Sequence, residues 1–335
     1  MTHGERADGL QTFSALVEEF AATAPQLRLT QLIKRLRKPV RIAVRGRSGV
    51  GRDTVAAVLR RHGVTTASDV AGADVRVQVI AEGLKPEDGM TSVTAPTLVV
   101  LNKADLTGSA RGGAIANAHR RAAEVRALTG APTVPLVGLL AGADAATLDD
   151  ELVGALRTMV TVPADLTSVD AFVAAEHPVG RGVRERLLAG LDRFGIAHAI
   201  VALARGAEPA DLPALLRGVS NVDAVLAALH SVAAPVRYRR LRSALAELAS
   251  IALQFDDLAL AALLRSDDLV LSAMTAAVDV VEADGATVDT RDDPSAHLRR
   301  ARHWRRYGHG PVNALHRNCS DDIVRGSLRL LDGHP

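Results

Sequence analysis

Apolar positions recur in two rhythms along this chain. Up to about residue 160, short unbroken runs alternate with stretches spaced three and four apart; beyond it the three-and-four spacing dominates. Residues 10–37 open helically, with Leu10, Phe13, Leu16, Val17 and Phe20 on one face, until Pro39 stops them after the basic run Lys34-Arg35-Leu36-Arg37-Lys38. The runs 40–45, 74–80, 98–101 and 133–138 read as strands, and 53–61 and 120–128 as helices between them. Such alternation predicts a small parallel sheet covered by helices. Val162-Pro163-Ala164-Asp165 marks its expected end. The predicted organisation is an N-terminal helical segment over 1–38, an α/β domain over 39–162 and an all-helical domain over 163–335.

Within the last part, helices are expected at 182–193, 210–217, 221–231, 237–255 and 258–281. The acidic run 282–294 is expected to be a solvated loop, because its carboxylates lack the spacing of a calcium loop. Residues 298–307 concentrate five arginines around Trp304. That stretch suits anionic lipid headgroups or nucleic acid, or else a helix with Trp304 docked inward and its arginines solvated or paired to the acidic loop; the last is the expectation. The Ala/Leu face of 245–274, broken by Asp256-Asp257 and Asp267-Asp268, suits a helical hairpin packing on itself or on a partner.

Two loops carry candidate chemistry. After the first strand comes Gly46-Arg47-Ser48-Gly49-Val50-Gly51-Arg52-Asp53-Thr54. Three glycines free the backbone to wrap a phosphate with N–H groups at a helix N-terminus. The loop pattern G-x-x-x-x-G-K-[ST] asks for lysine and a hydroxyl where Arg52 and Asp53 stand, with Thr54 one position later. Arginine keeps the charge in a bulkier planar fork, and Asp53 brings a carboxylate that binds metal but repels phosphate. After the apolar run 98–101 comes Asn102-Lys103-Ala104-Asp105. Here the Asn102 amide is suited to donate to guanine O6 and N7, and Asp105 to accept from N1–H and the exocyclic amine. Lys103, one of only four lysines among 40 basic residues, can lay its stem along the base. Room for switch elements is short: Thr65 or Thr66 and the DxxG at 69–72 lie directly before the next strand, with no glutamine or histidine to orient a water.

Over residues 40–160, GRSGVGRDT, AEGLKPED and LVVLNKADL together resemble the translation-factor-related class of P-loop GTPases, in its bacterial dynamin-like branch. The resemblance implies a reduced P-loop GTPase-like parallel sheet followed by an all-α helical domain. It implies GTP or GDP with Mg²⁺ as cofactor, held by Gly46, Ser48, Gly49, Gly51, Arg52, Asp53, Thr54, Asn102, Lys103 and Asp105, with Asp53 and Thr54 toward the metal. It also implies pairing with itself or with a related GTPase, and peripheral contact with membranes. With the hydrolytic part trimmed, two readings remain: a guanine-nucleotide binder with weak or lost turnover, or a pseudo-GTPase that binds none and serves as an interaction module. A small-molecule kinase using Arg52 and Thr54 would leave NKAD unexplained.

Composition narrows this modestly. With 48% apolar residues but one tryptophan, two tyrosines and five phenylalanines, the core must be built from alanine, leucine and valine. Cys319, the single cysteine, excludes internal disulfides and fits a reducing cytosol. A net charge of +2 gives no reason to expect nucleic acid. The first residues lack a signal-peptide layout and no run of eighteen apolar residues exists, so a cytoplasmic protein without a membrane span is expected.

Overall fold

A computed structural model describes residues 8–23, 27–67, 72–88, 95–108, 112–143 and 148–333. The chain groups into two compact units, Arg41–Leu229 and the pair of segments Met1–Val40 and His230–Pro335.

The first unit is an α/β unit. Its elements are β1 (Ile42–Arg45), α3 (Arg52–Arg61), β2 (Thr66–Ala67), β3 (Val75–Ala81), β4 (Thr97–Asn102), α4 (Gly113–Thr129), β5 (Thr133–Leu136), α5 (Asp150–Thr161), α6 (Val169–Ala174), α7 (Arg181–Ala204) and α8 (Leu212–Ser220), preceded in the chain by α1 (Gly9–Thr23) and α2 (Leu27–Leu36) of the other unit. The five strands form one parallel sheet in the order β2-β1-β3-β4-β5. β3 and β4 are buried along nearly their whole length, which is why they read as continuous apolar runs rather than as alternation. Strand order reverses between β1 and β3, and in such sheets the crevice outside the carboxyl ends of the strands at that point is where ligands sit.

Residues beyond 162 do not leave this unit. Phe172, Leu187, Leu191, Ile196, Leu212 and Leu216 share one core with Ile80, Val99 and Leu101 of the sheet and Ala118, Ala122 and Val125 of α4. Pro163 lies in the connection between α5 and α6, and the division between units falls at residues 229 and 230. By length and apolar composition α7 is the one described helix that could itself cross a membrane. It is broken at Asp192, whose φ of 51° and ψ of 174° are non-helical, and one of its faces lies in this core.

The helical unit contains α1, α2, α10 (Leu258–Leu263), α11 (Asp267–Ala283), α12 (Pro294–Gly308), α13 (Ala314–Asp332) and most of α9 (Val222–Gln254). Two expected breaks move. α9 runs unbroken through Pro235, where a proline normally costs about 3 kcal/mol; the burial of Ala233, Ala234, Tyr238 and Leu241 around it offsets that cost. The expected helix 258–281 is instead two, because Ser266 caps α11 by accepting from the Leu269 N–H while Asp267 and Asp268 favour the first-turn dipole.

Trp304 is docked inward, with 1% exposure, in the core of this unit. The arginines beside it turn to the acidic loop: Arg300 donates to the Asp289 carbonyl and to Ser327 Oγ, and Arg299 lies 3.9 Å from the Asp289 carboxylate. Cys319 is fully buried, and burial pushes its thiol up to about 12. A thiol so protonated is a poor nucleophile. Alkylation by iodoacetamide is therefore expected to be at least tenfold slower in the native protein than in urea, followed by mass spectrometry.

Candidate functional site

The loop from Gly46 to Gly51 joins β1 to α3. Gly49 and Gly51 hold φ of 83° and 81°, in the left-handed region that side chains disfavour. A Cβ at Gly46 would lie 2.8 Å from the Val79 carbonyl, and one at Gly51 would strike the Asn102 amide. The glycines are thus fixed by close approach as well as by backbone angle. Ser48 and Gly49 stand exposed at the tip, and Arg52, Asp53 and Thr54 are exposed in the first turn of α3.

Arg52 does not reach back over the loop. Its Nε donates to Asp53 Oδ1 at 2.9 Å and its Nη2 to Oδ2 at 3.2 Å, so the two residues replacing the lysine and hydroxyl pair with each other. That hydrogen bonding holds the Asp53 carboxyl below its ordinary range. A carboxylate so engaged, beside an exposed Thr54, does not fit a magnesium site. Among the described residues no three His, Cys, Asp or Glu side chains converge as metal ligands.

At the base-side end, β4 delivers Asn102, which is 3% exposed. Its Nδ2 donates to the Val50 carbonyl at 2.9 Å, and its Oδ1 accepts from the Gly138 N–H at 3.0 Å. One side chain thereby ties the glycine loop to the turn after β5. The expected donation to guanine is left at most the second Nδ2 hydrogen, because the carbonyl and the other hydrogen serve the fold. The next residue, Lys103, is exposed with φ of 56°, a strained setting for a side-chain-bearing residue. A short turn over Ala104–Leu106 then presents Asp105. Its carboxylate is half-buried, accepts from its own backbone N–H, and is raised above its ordinary range, first by burial and then by the charge of Asp192. Asp192 is the residue at the break in α7.

Comparison with family models, with curated proteins and with solved structures finds no match to this chain.

Of the residues singled out in the sequence, the fold brings the glycine loop and Asn102 into direct contact, with Asp105 three positions further along. Thr65 and Thr66 serve β2 instead: the Thr65 carbonyl accepts from the Ile42 N–H, and Thr66 Oγ1 receives Arg60 at 3.4 Å. The DxxG residues 69–71 lie outside the described residues. Two functional neighbours escaped the sequence. Arg47 crosses the switch point to donate to the Ala81 carbonyl and to sit 3.5 Å from Asp88. Asp192, at the break in α7, acts on Asp105 through its charge. The segment around 81–88 carried a weak signal for the first; a left-handed aspartate inside an apolar periodic run gave none for the second.

Asp105 makes a sign-definite prediction. A carboxylate whose folded pKa is raised disfavours folding above that pKa, and the penalty is relieved as pH falls through it. Asp105→Asn is therefore expected to melt above the unsubstituted protein at neutral pH. The gap should close in acid buffer, as scanning calorimetry can check; a gap that widens in acid would contradict the assignment.

Proposed function

We propose that the α/β unit is a guanine-nucleotide-binding module that holds GTP or GDP without effective hydrolysis and acts through a partner protein, either a second copy of this chain or a related GTPase. The observation that carries this reading is Asp105: a half-buried carboxylate that, among the described residues, accepts from its own backbone N–H, three residues beyond an asparagine locked to a glycine-rich loop. Guanine offers two donors on one edge to such a carboxylate, and adenine does not. Lys103 would lie along the base, and the N–H groups of residues 46–51 would meet the phosphates.

Arg52 and Asp53 favour the second reading, a pseudo-GTPase that binds no nucleotide, because their mutual pairing removes the charge a phosphate would seek. The readings separate in one titration. Fluorescent GTP and GDP analogues are expected to saturate at up to tens of micromolar, with the same affinity in EDTA as in magnesium, since Asp53 is not free for the metal. No saturable signal selects the interaction module. Asp105→Asn is expected to shift preference toward xanthine nucleotides, whose edge an amide can pair; unchanged guanine selectivity would remove Asp105 from the site. GTP turnover in the same preparation is expected to stay at background.

A further inference from the structure

Buried polar atoms without a hydrogen-bond partner are rare in native folds and call for an explanation wherever they occur. Among the described residues there are five such side-chain atoms, and four of them line one cavity: Arg47 Nε, Arg76 Nε, Gln78 Oε1 and Asp88 Oδ1. The cavity measures about 830 Å³ and belongs entirely to the α/β unit. That volume falls in the range of small-molecule sites, about 300–1,000 Å³.

The sheet register explains how it is built. Ala43 pairs with Arg76 and Arg45 with Gln78, so these four side chains share one face. The same face carries Ile80, Val99 and Leu101, by the pairings Gln78 with Val99 and Ile80 with Leu101, and there it is roofed by α4. Toward β1 and β2 the roof ends and the lining becomes polar. Gln78 is 2% exposed, and the Asp88 side chain is fully buried. Asp88 Oδ2 is already held by the Lys85 N–H, which leaves Oδ1 turned toward Arg47 at 3.5 Å without a hydrogen bond.

The chemistry of the lining selects the ligand class. Five arginines face three carboxylates around the cavity, and one of those carboxylates, Asp53, is already neutralised by Arg52. The surplus of guanidinium suits an anion with several oxygens. Gln78 Oε1 and Asp88 Oδ1, by contrast, need donors, which a bare anion lacks. We infer that this cavity is a binding site for a phosphorylated sugar, its phosphate ester on Arg76 and Arg47 and its hydroxyls on Gln78 and Asp88. The cavity borders the glycine loop through Gly46, Arg47, Arg52 and Asp53, but neither Asn102 nor Asp105, which would read guanine, lines it.

The test is calorimetric titration of the full chain with ribose 5-phosphate, inorganic phosphate and ribose. Ribose 5-phosphate is expected to bind saturably, inorganic phosphate about tenfold more weakly, and ribose not measurably. Arg76→Ala should weaken ribose 5-phosphate about tenfold. Gln78→Leu should do the same while raising the melting temperature, because it removes a buried acceptor that only a ligand satisfies. That pairing of lost binding with gained stability keeps the test usable if Arg76→Ala fails to fold. Asp105→Asn should leave the titration unchanged. Absence of saturable heat, equal affinity for ribose 5-phosphate and inorganic phosphate, unchanged binding in Gln78→Leu, or loss of binding in Asp105→Asn would each overturn the inference.

Discussion

Asn102→Ala is expected to destabilise the α/β unit by about 2–6 kcal/mol, the sum of two buried backbone groups losing the partner they have among the described residues at about 1–3 kcal/mol each. The Val50 carbonyl and the Gly138 N–H both pair with this one side chain, and among the described residues neither group has a second hydrogen bond to replace it. Scanning calorimetry should show the loss. Nucleotide binding, where present, should fall with it, since the glycine loop is no longer held against the strand ends. Asn102→Asp is the informative companion. It keeps the acceptor for Gly138 but sets a carboxylate against the Val50 carbonyl, so its folded pKa is raised and its stability should return as pH falls and the acid becomes a donor. Gly51→Ala strikes the same amide and adds left-handed strain, so part of its cost should vanish in the Asn102→Ala background. An Asn102→Ala variant as stable as the parent would mean that the tie is incidental.

That double duty shows what a motif conveys and what it withholds. The spacing of NKAD after an apolar run placed Asn102 and Asp105 at the carboxyl end of a buried strand, and they are there. What each side chain does could not be read, because Asn102's partners are backbone groups far away along the chain. Arg47 is the same case: its reach to Ala81 and Asp88 follows from the adjacency of β1 and β3, which no local pattern encodes. Four of the five strands were legible as apolar runs. β2 was not, since Thr66 and Ala67 pair with β1 without any periodicity of their own. The helices after residue 162 were legible as amphipathic, but periodicity says that a face is buried and not against what. Hence Phe172, Leu187 and Leu212 belong with the sheet although their spacing resembles that of the helical unit.

In the helical unit, a large single loss is expected from Asp322→Ala, at about 1–3 kcal/mol for the buried Tyr238 hydroxyl left without its acceptor, with little added by the half-exposed Arg242. Asp322 is 1% exposed on α13, accepts from the Tyr238 hydroxyl of α9 at 2.6 Å and pairs with Arg242 at 3.2 Å. Burial, and then the charge of Asp322, pushes the Tyr238 hydroxyl far above its ordinary range, so it stays a donor at every accessible pH. Removing the carboxylate strands that donor in the core beside Trp304 and Cys319. Tyr238→Phe should cost less, about 1–2 kcal/mol, because Arg242 still satisfies Asp322. With both changes the hydroxyl is no longer orphaned, so the double variant should lose less than the two single losses combined. Urea unfolding followed by fluorescence isolates this unit, because Trp304 is the only tryptophan and lies within it. Strict additivity of the two substitutions would show that Asp322 works through Arg242 alone, and that Tyr238 and Asp322 do not hold α9 and α13 together.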